Sequence, residues 1–163
     1  MSRHIPGFTS TGSKRPDALF GPETDGHPPL RMQSSAGCRV RDERGREYVD
    51  YVMALGAVAL GYGDPDVTTA VQRAVSDGAV GSLPPVLEET LAARLCRLMP
   101  GMEQVRFLKT GAEAVAAAVR LARTHTGRDQ VLGCGYHGWL DWCQPQGTPG
   151  VPDGAALAGR IAF

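Results

Sequence analysis

Val105-Arg106-Phe107-Leu108-Lys109-Thr110-Gly111-Ala112-Glu113 reads as a strand running into a helix. Residues 105–108 are a short strand by composition. Thr110 and Glu113 then stand at the spacing of a capping box, with Thr at the N-cap and Glu at the third helical position. The helix continues from Gly111 to about His125. Gly111 and Ala112 carry almost no side chain, so the first helical amides lie open at the carboxyl end of a strand. Anions bind at such ends, because unpaired N–H groups point outward and the helix dipole favours negative charge. Open α/β sheets also place ligands at that edge. Two readings stand side by side: a phosphate site, and an ordinary capped helix whose small residues serve close packing.

Downstream, residues 129–133 (DQVLG) read as a second strand. Strand, helix and strand make a βαβ unit with a right-handed crossover. The intervening helix, AEAVAAAVRLARTHTGR, carries mostly alanine on the side expected to be buried, and Arg120 and Arg123 are expected in solvent. Gly133-Cys134-Gly135-Tyr136-His137-Gly138 matches GxGxxG after a strand, which raises a dinucleotide-binding module as an alternative. Bulky Trp139-Leu140-Asp141-Trp142 follows where small helical residues should, and Tyr136 and His137 would obstruct a pyrophosphate. Asp153 stands near the spacing of a ribose-binding acid, but within a Pro/Gly-rich loop. Otherwise Tyr136 offers an aromatic face to a flat ligand, or Tyr136, Trp139 and Trp142 fill a core edge. His137 reads as a structural histidine.

Upstream, residues 37–42 and 46–52 alternate loosely around a glycine turn and predict a β-hairpin. Residues 53–63 (MALGAVALGYG) are apolar and predicted to be buried. Asp64-Pro65 opens a helix, with Asp as N-cap and Pro at the first position. Val67, Ala70, Val71 and Ala74 share one face of it, and Asp77-Gly78 stops it. Residues 86–99 form another helix, with Leu87, Leu91, Leu95 and Leu98 in a stripe. Residues 1–34 read as irregular, because prolines interrupt every helix there.

The chain has 163 residues, with 17 basic and 17 acidic side chains. That balance excludes the strong field that draws nucleic acid or anionic lipid, so neither is expected as a partner. Mean apolar content of 42% excludes a disordered chain. The longest low-charge stretch is too short to span a bilayer, and the N-terminus lacks a signal-peptide centre. Cys38, Cys96, Cys134 and Cys143 have neither CxxC nor zinc-ligand spacing, so free thiols, no metal, and a cytoplasmic location are expected.

Several motifs together resemble a family. They are Val40-Arg41-Asp42 with Gly45-Arg46-Glu47-Tyr48-Val49-Asp50-Tyr51, then Leu60-Gly61-Tyr62-Gly63-Asp64-Pro65, Phe107 to Ala114, Arg120-Leu121-Ala122-Arg123 with Thr126-Gly127-Arg128, and Tyr136-His137-Gly138. In this order and spacing the chain resembles the class III aminotransferases over residues 15–145. These are transferases of fold type I that use pyridoxal 5'-phosphate (PLP). The resemblance implies an α/β fold: a small-domain β-hairpin followed by the start of the large-domain βαβ sheet. The implied divisions are an irregular segment 1–34, the hairpin and its connection 35–60, and the start of a PLP-binding domain 61–163.

The resemblance also implies roles. Gly111 and Ala112 match the pair whose amides hold the PLP phosphate, and Thr110 matches the residue before them. Tyr136 matches the aromatic that stacks on the pyridine ring, and His137 completes that motif. Glutamate-1-semialdehyde 2,1-aminomutases look similar, but Arg15-Pro16-Asp17-Ala18-Leu19-Phe20 departs from their N-terminal Ser-x-x-Arg motif and Leu55 stands in place of their Trp. An aminotransferase acting on other amino donors and acceptors is therefore expected, with the aminomutase as an alternative.

Lys14 and Lys109 are the only lysines. Lys14 lies in the irregular N-terminus, and Lys109 precedes the phosphate loop. Neither matches the Schiff-base lysine, which is expected beyond Phe163 together with the Asp that pairs with the pyridine nitrogen. The expectation is thus a truncated N-terminal portion, inactive alone, that works as a homo-oligomer such as a dimer or with a second chain carrying the rest of the fold. A non-catalytic partner subunit is a further alternative.

Overall fold

In the computed structural model, residues 4–22, 28–78, 80–144, 149–151 and 159–160 are described. They fall into two units, Met1–Leu83 and Pro84–Phe163.

The first unit opens with a 3-10 turn, Gly12–Lys14, and a short helix α1, Pro16–Phe20. The prolines were expected to exclude any helix here. Pro16 instead occupies the first helical position, where no N–H is needed and its fixed φ suits the turn. Three antiparallel strands follow, β1 (Met32–Ala36), β2 (Arg39–Asp42) and β3 (Glu47–Val49), in the order β1-β2-β3. β2 and β3 form the predicted hairpin, with Val40 opposite Tyr48.

Asp42 organises the β2–β3 turn and is 2% exposed. Its Oδ1 accepts the amides of Arg44 and Arg46, both at 2.9 Å. Its Oδ2 accepts Arg46 Nε at 2.8 Å and the Tyr48 hydroxyl at 3.2 Å. Burial pushes the Asp42 carboxyl up, but the Arg46 amide and guanidinium and the Arg44 amide outweigh it and hold the group below its ordinary value. Gly45, at φ +79°, makes the turn.

β1 falls partly in the segment expected to be irregular. Its residues, MQSSA, lack the β-branched alternation that marks a strand. Pairing makes it one: Ser35 lies opposite Val40. Arg31 and Glu43 extend that pairing, through Arg31 N to Glu43 Oε2 at 2.8 Å and Glu43 N to the Arg31 carbonyl at 3.1 Å.

Helix α2, Pro65–Ser76, forms as its caps predict, and Asp64 accepts from the amides of Asp66 and Val67. No residue of α2 is buried. Val67, Val71 and Val75, on the apolar face, are 48%, 55% and 63% exposed. The apolar segment 53–63 was expected to be buried, yet Leu55 and Leu60 are exposed. Apolar composition drives burial only where a second surface is at hand to cover it.

The second unit contains helices α3 (Val86–Leu98) and α4 (Gly111–Thr126), then β4 (Leu132–Gly133) and β5 (Gly159–Arg160). β4 pairs with β5 in parallel. Residues 105–108 form no strand. The expected βαβ unit is therefore not closed by 105–108. A strand exists through its partner, and this segment has none among the described residues. α4 was expected to bury its alanine side, but it too has no buried residue. Arg120 is exposed as expected, while Arg123, expected in solvent, is half-buried and donates from Nε to the Asp129 carbonyl at 2.8 Å. Gly127, at φ +64°, ends the helix, and its N–H donates to the Arg123 carbonyl.

Candidate functional site

The N-terminus of α4 is built by the capping box that the sequence spacing predicts. Thr110 Oγ1 accepts the Glu113 amide at 3.2 Å, and Glu113 Oε2 accepts the Thr110 amide at 2.9 Å. The Thr110 hydroxyl also donates to Glu113 Oε2, at 3.1 Å. A helix start has four orphan amides. The Ala114 amide reaches the Thr110 carbonyl at 3.0 Å, and the box satisfies Thr110 and Glu113. The amides of Gly111 and Ala112 remain without a partner among the described residues. A Cβ placed on Gly111 would meet nothing within 4 Å. The arrangement is an open pair of donors at the positive end of a helix dipole, which suits an anion with several oxygens.

The loop after β4 is seated against this helix start. Gly138 has φ +107°, and a Cβ there would fall 2.7 Å from the Ala112 Cβ and 3.1 Å from its Cα. Only glycine lets the loop come so close. The contact brings the segment carrying Tyr136 and His137 to the turn carrying Gly111 and Ala112. Tyr136 is 84% exposed, so its ring face is free for a flat ligand. His137 is half-buried, and its Nδ1 is buried without a hydrogen-bond partner among the described residues, as is Trp142 Nε1. The His137 and Trp142 rings meet edge to face at 6.4 Å. Cys143 is buried, and its Sγ donates to the carbonyls of Leu140 and Gly138. Trp142 and Cys143 thus buttress the loop from behind.

After Gly138 the chain forms a 3-10 turn, Asp141–Cys143, rather than the long helix that a dinucleotide fold needs. Asp153 lies outside the described residues. Among the described residues no group of His, Cys, Asp and Glu is placed to hold a metal. Among the described residues no helix is long and apolar enough to cross a membrane. Lys109, next to the cap, is exposed. A groove of about 440 Å³ runs along α4, lined by Glu113, Ala116, Ala117, Arg120, Leu121, Thr124 and Leu140.

The sequence pointed to Thr110, Gly111 and Ala112 through local spacing, but it gave Gly138 no role beyond completing a motif. Its approach to Ala112 is a long-range contact. The one signal available was glycine at a loop position followed by bulky residues.

Comparison with known proteins places the chain in a family. The family description Aminotransferase class-III matches residues 20–147. A glutamate-1-semialdehyde 2,1-aminomutase of Dechloromonas aromatica is 43% identical over 142 residues, which is 85% of this chain and 32% of that protein. The chain thus spans about a third of the length of this curated relative. An omega-transaminase from Sphaerobacter thermophilus superposes with a TM-score of 0.78 at 27% identity, over 99% of this chain and 39% of that one. The FumI protein of Sphingopyxis sp., solved in a PLP form, gives 0.72 at 28% identity, over 84% and 35%. The architecture is a partial α/β portion of the PLP fold type I transaminases, with a small antiparallel sheet.

Proposed function

We propose a reaction from one premise: this chain belongs to the class III aminotransferase family. The reaction is PLP-dependent transfer of an amino group between small-molecule donors and acceptors, and this chain supplies the part that holds the cofactor. The observation that carries the reading is the pair of amides at Gly111 and Ala112, free among the described residues, with the Gly138 loop seated on the same turn.

The residues fit the group. The two amides and the α4 dipole would bind the phosphate, since both favour negative charge at that point. The capping box keeps the Glu113 carboxylate turned back on Thr110, so the acid is engaged rather than facing the cradle. Tyr136 offers its ring as the surface against which the pyridine lies, and His137 is held beside it by Trp142. When bound, PLP supplies an electron sink for the substrate's α-carbon. The chain's own contribution is binding and orientation. Proton movement at the α-carbon needs a base, and the two lysines do not provide one in this reading. Lys14 sits in a 3-10 turn of the first unit, and Lys109 precedes the cap.

The uncovered apolar faces of α2 and α4 favour a chain that works joined to further polypeptide, either more of the same fold or a second copy. Aminotransferase activity on a substrate other than glutamate 1-semialdehyde is preferred over aminomutase activity, because Leu55 stands where the aminomutases resembled carry Trp. The four free cysteines agree with a cytoplasmic setting. The test is PLP binding followed by fluorescence quenching in wild type and Gly111→Asp. The variant adds a carboxylate beside the phosphate and should abolish binding. Unchanged affinity would remove the site.

A further inference from the structure

Residues 50–62 form a loop whose two ends are tied to one corner of the three-stranded sheet. The Asp50 amide donates to the Cys38 carbonyl at 2.8 Å, and Gly37 and Tyr62 exchange two backbone hydrogen bonds, each 2.8 Å. Gly61 permits that approach, because a Cβ there would stand 3.3 Å from the Cα and carbonyl oxygen of Gly37. Across the mouth of the loop, the Tyr62 hydroxyl donates to Asp50 Oδ2 at 2.7 Å. Asp50 Oδ1 accepts the amides of Val52 at 2.8 Å and Met53 at 3.1 Å.

Inside the loop the backbone winds the wrong way. Met53, Ala54 and Leu55 have φ of 46°, 52° and 59°, and Gly56 follows at 84°. Left-handed residues with side chains normally occur singly, because each forces Cβ against the next carbonyl. Here three stand in a row. The Gly56 amide donates to the carbonyls of Val52 and Met53, and the Val58 amide to that of Met53. The turn is only partly covered: Met53 and Ala54 are half-buried, while Tyr51 is 92% exposed, Leu55 68% and Leu60 73%. Strained backbone persists only where its surroundings over-determine it. Beside these backbone bonds, one carboxylate grips the first amide of the turn and the hydroxyl at the far end of the loop, and that hydroxyl also accepts the Ala54 amide.

We infer that Asp50 and Tyr62 form a latch that holds residues 53–56 in their left-handed winding. Opening the latch frees this loop alone, and the three-stranded sheet stays paired. Asp42 and Asp50 work separately. Asp42 closes the β2–β3 turn through Arg44, Arg46 and Tyr48, while Asp50 engages Val52, Met53 and Tyr62. The latch is independent of the amino-transfer reading, since it concerns one loop of the first unit.

The test is amide hydrogen exchange of the whole chain as wild type, Tyr62→Phe and Asp50→Asn. Tyr62→Phe deletes one hydroxyl and keeps the ring and the backbone bridge to Gly37. Asp50→Asn keeps the size but leaves only one oxygen to accept. The amides of Gly56 and Val58 should exchange at least about tenfold faster in Tyr62→Phe, as expected for losing a hydrogen bond to a charged group. They should be faster still in Asp50→Asn. The Asp42 amide, bonded to the Arg46 carbonyl, should keep its wild-type rate in both. Unchanged rates at Gly56 and Val58 would overturn the latch. Equal acceleration at Asp42 would also overturn it, because the loop would then open only with its sheet.

Discussion

Gly138→Ala should unseat the Tyr136 loop from the start of α4. Two costs add. Alanine at φ +107° occupies backbone space that side chains rarely enter, at about 1–3 kcal/mol. Its methyl would also sit 2.7 Å from the Ala112 Cβ, an overlap worth about 1–3 kcal/mol in a packed contact. The sum is about 2–6 kcal/mol, or thirtyfold and more in the seated population. Gly135→Ala is the control. Its φ is +74° and its added methyl meets nothing within 4 Å, so only a left-handed penalty of about 1–2 kcal/mol applies. Both tryptophans, Trp139 and Trp142, lie just beyond the loop, so their fluorescence during urea unfolding reports on this segment. A double-mutant cycle sharpens the test. Ala112→Gly removes the methyl that Gly138→Ala strikes, so the pair should recover about 1 kcal/mol or more relative to additivity. Strict additivity, or equal losses for Gly135→Ala and Gly138→Ala, would refute the claim that the loop rests on Ala112.

Thr110→Ala removes the N-cap hydroxyl that Glu113 N donates to, and should cost about 1 kcal/mol of stability in urea melts, with Thr110→Ser restoring most of it. Tyr136→Ala should weaken PLP retention by up to about tenfold if the ring stacks, an aromatic pair being worth about 0.5–1.5 kcal/mol, while Tyr136→Phe stays mild; equal loss in both by fluorescence titration would implicate the hydroxyl instead. The Tyr62 hydroxyl, ahead of the Met53 and Val52 amides, holds the Asp50 carboxyl below its ordinary 3.8 against the opposing effect of burial, so this stabilisation is present above about that pH and is lost on acidification through the lowered native value. The Asp50 hydrogen bond, with burial, raises the Tyr62 phenol above 10.0, so its share is present below that pH and is lost as pH rises through the raised value. Carbon NMR titration should show the Asp50 inflection moving upward in Tyr62→Phe, and an unmoved inflection would contradict the assignment.

What the sequence determined by itself was whatever depends on neighbours within one turn. The Thr110–Glu113 box, the Asp64-Pro65 opening of α2 and the Gly45 turn are each settled by side chains a few residues apart, so their spacing is their structure. Family membership was legible for a related reason, since it rests on motif order along the chain. Only the tertiary structure decided the rest. β1 is polar and became a strand because β2 lay beside it, while the apolar 105–108, a better strand by composition, found no partner among the described residues. Asp50 and Tyr62, and Gly138 and Ala112, are distant pairs whose meeting depends on how the intervening loops close. The apolar face of α2 was read correctly as a face, and the alanine side of α4, read as a side to be covered, has no buried residue. Periodicity says which side of a helix seeks cover, and burial needs a second surface that the periodicity of one segment cannot specify.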